Sequence, residues 1–155
     1  PAHVTKHSSC GVIVPGVDTI AVSLANCCRP IPGDSIIGYI SKGQGVKVHR
    51  ADCPNIVNEK KRLIPVQWEE GLDEKQYEVN LIIHSDDRNY LLSDIVTTLQ
   101  QCNVYLKHVD SAVDDGNLEA TTKLTVSVKN AAHLQNLISN LKKVRSVNEV
   151  IRTIQ

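Results

Sequence analysis

Four side chains in the first half of the chain could hold a soft metal ion. Cys27 and Cys28 stand side by side in the run ANCCRPIPGD, and His49 and Cys53 follow. The pattern is CC-x20-H-x3-C. A disulfide between neighbours would be strained, because the usual Cα separation of ~4.4–6.8 Å exceeds the ~3.8 Å between adjacent residues. Two adjacent thiolates can instead turn toward one ion. Zinc takes four ligands, mostly Cys and His. Adjacent ligands depart from the usual spacing of such sites, so spacing alone leaves three readings open. They are a zinc centre, core cysteines beside a surface histidine, and a redox pair. The remaining thiols, Cys10 and Cys102, read as ordinary packing residues.

These four residues need short elements to bring them together. GVIVPG and DTIAVSLA are apolar and β-rich, and PIPGD makes a turn. IIGYI and VKVHR read as two strands of a hairpin joined by the Gly-rich SKGQG. The expectation for 52–62 is one short helix opened by Asp52 or Cys53 with Pro54 in its first turn, which would favour the Cys53 thiolate. LIPVQW closes this half as a strand.

Residues 69–76, EEGLDEKQ, carry four acids and no apolar pattern, and are read as a linker between residues 1–68 and 77–155. The second half is more regular. YEVNLIIH alternates with period two. Leu92, Ile95, Val96 and Leu99 are spaced as one helix stripe, as are Leu134, Leu137, Ile138 and Leu141, with Asn130 as a cap. Asp86 and Asp87 read as capping and first-turn charge for the first of these helices. Strands at VYLKHVDSAV, LEATTKLTVSV and VNEVIRTI complete a β-α-β-β-α-β order. The fold class is α+β: a small β-rich metal-binding domain with one short helix, then a ferredoxin-like βαββαβ domain.

Composition narrows the function. With no Phe, no Met, one Trp and four Tyr, the cores must be Val, Ile and Leu, and an aromatic platform for stacking bases is not expected. Net charge is zero, but residues 1–68 carry +4 and 69–155 carry −4. A basic half fits an anionic partner. Lys42, Lys47 and Arg50 decorate the hairpin, and Lys60, Lys61 and Arg62 form a further basic run that reads as a solvated helix end. His84 and His108 sit on strands and read as structural. No nucleophile–base or phosphate-loop arrangement has usable spacing, so the chain is not expected to be an enzyme. It lacks an apolar run of membrane-spanning length and a signal peptide, so the expectation is a cytoplasmic location. It opens on Pro1 rather than Met, which suggests a piece of a longer chain.

The run LANCCRPIPGDSIIGYISKGQGVKVHRADCPN closely resembles the zinc-finger (RIS) domain of long RelA/SpoT-type synthetases and hydrolases of the alarmone (p)ppGpp. The second half resembles their C-terminal ACT domain. The resemblance implies zinc on Cys27, Cys28, His49 and Cys53. It implies a regulatory tail that docks on the ribosome, against ribosomal RNA and A-site tRNA, and restrains catalytic domains upstream. The parent would be a GTP pyrophosphokinase, a (p)ppGpp hydrolase or both. It also implies a homodimer through the ACT domain and a branched-chain amino acid as effector. Lys42, Lys47 and Arg50 would touch RNA, with Gln44 replacing a cation of the family's KGRG turn. The effector loop falls on Asp87, Arg88, Asn89, Tyr90, Leu91 and Leu92. Tyr90 stands where many ACT domains have Gly, and its ring either fills the pocket or folds out as a wall, so weakened amino-acid binding is expected. The rival reading is an amino-acid-sensing ACT dimer whose first domain is only structural support.

Overall fold

Between residues 20 and 50 the apolar residues come in short β-branched runs broken by Gly and Pro, which suits small strands rather than helices. The computed structural model describes residues 10–16, 20–41, 43, 45–56, 62–71 and 75–154. They divide into one unit of residues 1–75 with 154–155 and another of 76–153.

The first unit contains β1 (Val12–Ile13), β2 (Val22–Leu24), β3 (Ile36–Ser41), β4 (Gly45–Arg50), β5 (Leu63–Ile64) and β6 (Gln67–Trp68). Its main sheet runs β2-β4-β3-β5, and β1 pairs with β6. The β3–β4 hairpin is antiparallel, whereas β2 joins β4 in parallel, with Leu24 opposite Val48. That parallel pairing depends on Gly45. Its φ is +80°, and a Cβ there would run into the carbonyl oxygen of Ala21, which accepts the Val46 amide at 2.8 Å.

Alternation along β4 separates two environments. Val46 and Val48 are fully buried and pack with Val12 and Val14 against Ile36, Ile64, Val66 and Trp68. Lys47 and His49 point to the other face, where Ala25, Cys28, Cys53 and Ile56 form a second small cluster with Ile37 and Leu63. The segment expected as one strand at LIPVQW is two, because Pro65 interrupts the ladder: β5 pairs with β3 and β6 with β1. Where the short helix was expected to begin, residues 51–56 form turns, with the Ile56 amide donating to the Cys53 carbonyl at 3.2 Å. Residues 57–61, with Lys60 and Lys61, lie outside the described residues.

The second unit contains β7 (Tyr77–Asp86), α1 (Leu91–Gln101), β8 (Tyr105–Asp114), β9 (Glu119–Val128), α2 (Ala131–Lys142) and β10 (Val147–Arg152). The strand order is β10-β7-β9-β8, all antiparallel. Tyr77, Val79, Leu81 and Ile83 of β7 and Leu124, Val126 and Val128 of β9 bury one face. Leu134, Leu137, Ile138 and Leu141 of α2 are buried as expected, and the Asn130 side chain accepts the His133 amide at 2.8 Å. The expected stripe of α1 is corrected. Leu91, Ile95, Thr98 and Leu99 are buried, while Leu92 and Val96 are exposed. Thr98 tolerates burial because its hydroxyl donates to the Asp94 carbonyl at 2.9 Å. The expected cap from Asp86 or Asp87 is corrected too. Tyr90 occupies the N-cap of α1, with no side-chain cap bond.

Candidate metal centre

Parallel pairing of β2 with β4 brings the ends of both strands to one edge of the sheet. The Ala25 amide extends the ladder by donating to Val48, at 2.8 Å. The chain then turns through 26–28, closed by the Arg29 amide on Ala25 at 3.1 Å. Cys27 and Cys28 thereby sit beside His49 at the end of β4. The turn after β4, in which the Cys53 amide donates to the Arg50 carbonyl at 3.0 Å, folds Cys53 back onto the same place.

The sequence-predicted ligands Cys27, Cys28, His49 and Cys53 are all brought together. Their ligand atoms lie within 4.8 Å of one another. Cys27 Sγ is 3.4 Å from His49 Nδ1 and 3.7 Å from Cys53 Sγ, and Cys28 Sγ is 3.8 Å from His49 Nδ1. A tetrahedral ion with metal–sulfur bonds of ~2.3 Å and a metal–nitrogen bond of ~2.0–2.1 Å would set sulfurs about 3.8 Å apart and sulfur and nitrogen about 3.6 Å apart. The donors therefore fit one small tetrahedral ion. Cys28 and Cys53 are buried and Cys27 is partly exposed.

The surroundings prepare the donors unequally. Burial pushes the Cys28 thiol up to about 12 despite the Arg50 amide that donates to its sulfur at 3.3 Å. Burial also raises Cys27, but hydrogen bonds from Asn55, Cys53 and Cys28 outweigh it and leave that thiol below its usual value. Burial, and then the charge of Lys47, hold the His49 imidazole below its usual value. A neutral imidazole is the form that binds a metal. Neither the Arg50 amide nor Asn55 was visible in the sequence as a support for these thiols. The only hint is that both lie within three residues of a ligand.

The basic residues are less closely grouped. Lys47 shares the His49 face of β4. Arg50, three residues on, falls on the opposite face. Its guanidinium side chain is 16% exposed and is paired with Asp52 at 2.8 Å. Lys42 lies outside the described residues. In the second unit, the Arg88 guanidinium of the predicted effector loop donates to the carbonyls of Arg145 and Asn89 and to the Asp94 carboxylate at 2.7–3.1 Å. The Asp87 amide donates to the Leu118 carbonyl at 2.7 Å. Leu91 is buried, Leu92 is exposed, and the ring of Tyr90 is folded out at 80% exposure.

Residues 12–69 match the family model described as the RelA/SpoT RIS domain, and residues 73–152 match that of the ACT domain. The chain is 35% identical over 151 residues to a GTP pyrophosphokinase of Haemophilus influenzae, covering 95% of this chain and 20% of that protein. It is 33% identical over 145 residues to a bifunctional (p)ppGpp synthase/hydrolase RelA of Mycobacterium tuberculosis, covering 92% and 19%. The chain thus spans about a fifth of the length of these relatives. The solved ACT domain from the GTP pyrophosphokinase of Chlorobium tepidum is similar at 23% identity and a TM-score of 0.46, over 50% of this chain and 99% of that one.

Proposed function

The chain belongs to the ACT family and carries a RelA/SpoT RIS domain, and from that membership we propose that it docks a (p)ppGpp-metabolising enzyme on ribosomal RNA beside the A-site tRNA and thereby controls catalytic domains upstream. It is the regulatory RIS–ACT region of RelA/SpoT-type enzymes. One observation carries the docking reading: the four ligand atoms lie within 4.8 Å of one another, and His49 among them shares its face of β4 with Lys47. A metal there, which we take to be zinc from the three-sulfur, one-nitrogen donor set, would lock the turns on either side of β4. Its role is structural. Cys27, Cys28, His49 and Cys53 would hold it, and Lys47 would meet phosphates on the surface so formed. Arg50 serves better as a brace, since its amide supports Cys28 and its guanidinium holds Asp52.

The amino-acid-sensing alternative is less well supported. Arg88 would be the natural clamp for a carboxylate, and its donors already hold the loop together. Filter binding of the zinc-loaded chain to ribosomes over a range of salt tests the docking reading. Affinity should fall steeply with salt, and Lys47→Ala should reduce the logarithmic slope by about 0.7–0.9. Binding that ignores salt and Lys47 would sink it.

A further inference from the structure

We propose that the four-ligand cluster is also a peroxide-sensitive switch, in which Cys27 is oxidised first and Cys53 closes a disulfide onto it, ejecting the metal. This rests on the metal-binding reading above. Of the three cysteines, Cys28 and Cys53 are buried and Cys27 is partly exposed, so a solvent-borne oxidant meets Cys27 first. The Cys53 sulfur stands 3.7 Å away, so a movement of about 1.7 Å makes a bond of normal length. Cys28, although adjacent in sequence, would have to close the strained ring of neighbouring residues. Its sulfur is also held by the Arg50 amide.

The chemistry balances with hydrogen peroxide as the oxidant. The Cys27 thiolate attacks one peroxide oxygen. An S–O bond forms, the O–O bond breaks and hydroxide leaves, so sulfur is oxidised to the sulfenic acid and peroxide is reduced. The Cys53 thiolate then attacks the Cys27 sulfur. The S–S bond forms, and the S–O bond breaks with loss of a second hydroxide. Each hydroxide takes a proton from the medium, so one peroxide becomes two waters. The ion has then lost two of its three thiolates, and Cys28 and His49 alone hold it weakly. Its departure frees the turns on either side of β4, so docking ceases until a thiol reductant and metal return.

The test uses this chain reconstituted with zinc. Zinc content is measured first, and a chain that takes up no zinc fails there, overturning the metal reading and the switch with it. Hydrogen peroxide is then added with a chromophoric chelator present, and cysteine peptides are mapped by mass spectrometry. Release of about one zinc per chain is expected, together with a Cys27–Cys53 disulfide and early dimedone labelling of Cys27. Dithiothreitol and fresh zinc should restore the starting state. Cys10→Ser should release zinc at an unchanged rate. Zinc retained under peroxide, first labelling at Cys28 or Cys53, or a Cys27–Cys28 disulfide would overturn the proposal while leaving the metal reading intact.

Discussion

Tyr90 holds a φ of +65°, a conformation that costs an ordinary side chain about 1–2 kcal/mol. Its ring is 80% exposed, so little packing offsets that cost. Tyr90→Gly should therefore stabilise the second unit by about 1 kcal/mol, less the added chain entropy of glycine, read as a higher urea midpoint at unchanged slope. An unchanged or lower midpoint would mean that the ring makes contacts worth as much as the strain. The proposed metal ligands answer to a different physics. Cys28 is buried, raised to about 12 as a free thiol, and touched by the Arg50 amide. Cys28→Ser replaces a soft sulfur by a hard oxygen in that pocket. Bound zinc should drop from about one per chain to under roughly a tenth after dialysis, because three remaining ligands leave a structural site incomplete. Full occupancy in the serine variant would remove Cys28 from the ligand set.

At the scale of the element, β4 does most to build the site, and Gly45 at its start is the point where it is most easily broken. A Cβ at Gly45 would strike the Ala21 carbonyl at a φ of +80°, so Gly45→Ala must push β2 away from β4. Because β2 leads directly into Cys27 and Cys28, the variant should lose about 2–3 kcal/mol of stability and also bind zinc more weakly, measured by unfolding with and without the metal. Loss of stability with unaltered zinc affinity would show that the cysteine turn is positioned without β2. This coupling explains what the sequence reveals and what it hides. The cluster of Cys27, Cys28, His49 and Cys53 was legible because its residue types are rare and its spacing is short. The parallel partnership of β2 and β4 was not, since a pairing across about twenty residues leaves no local periodicity. Lys47 and Arg50 read as one basic group because they are close in sequence, although alternation along β4 puts them on opposite faces. In α1, apolar residues at 91, 92, 95, 96 and 99 allow two overlapping stripes. The buried one includes Thr98, whose hydroxyl is satisfied within the helix, so a purely apolar count chose the wrong edge.

The two units of the molecule are stabilised by different means. The second has an apolar layer between its sheet and helices, with Leu81, Ile83, Ile95, Leu99, Leu124, Leu134, Leu137 and Leu141 all at 2% exposure or less. The first has small strands, a valine-rich cluster and a second cluster in which two of the four fully packed residues are Cys28 and Cys53. Removing a metal from that second cluster would leave thiols with only weak contacts between them, in a domain too small to make good the loss from apolar burial. Chelation should therefore act on one unit alone. In calorimetry of the zinc-loaded chain, a strong chelator should lower or abolish the transition of the first unit. A loss of even about 3 kcal/mol corresponds to roughly 12–24 °C for a domain of this size. The transition of the second unit should move by less than about 2 °C, because none of the four donors lies in residues 76–153. Two transitions that fall together would mean that the units unfold as one cooperative body. Neither moving would mean that the cysteine cluster holds its shape by packing alone.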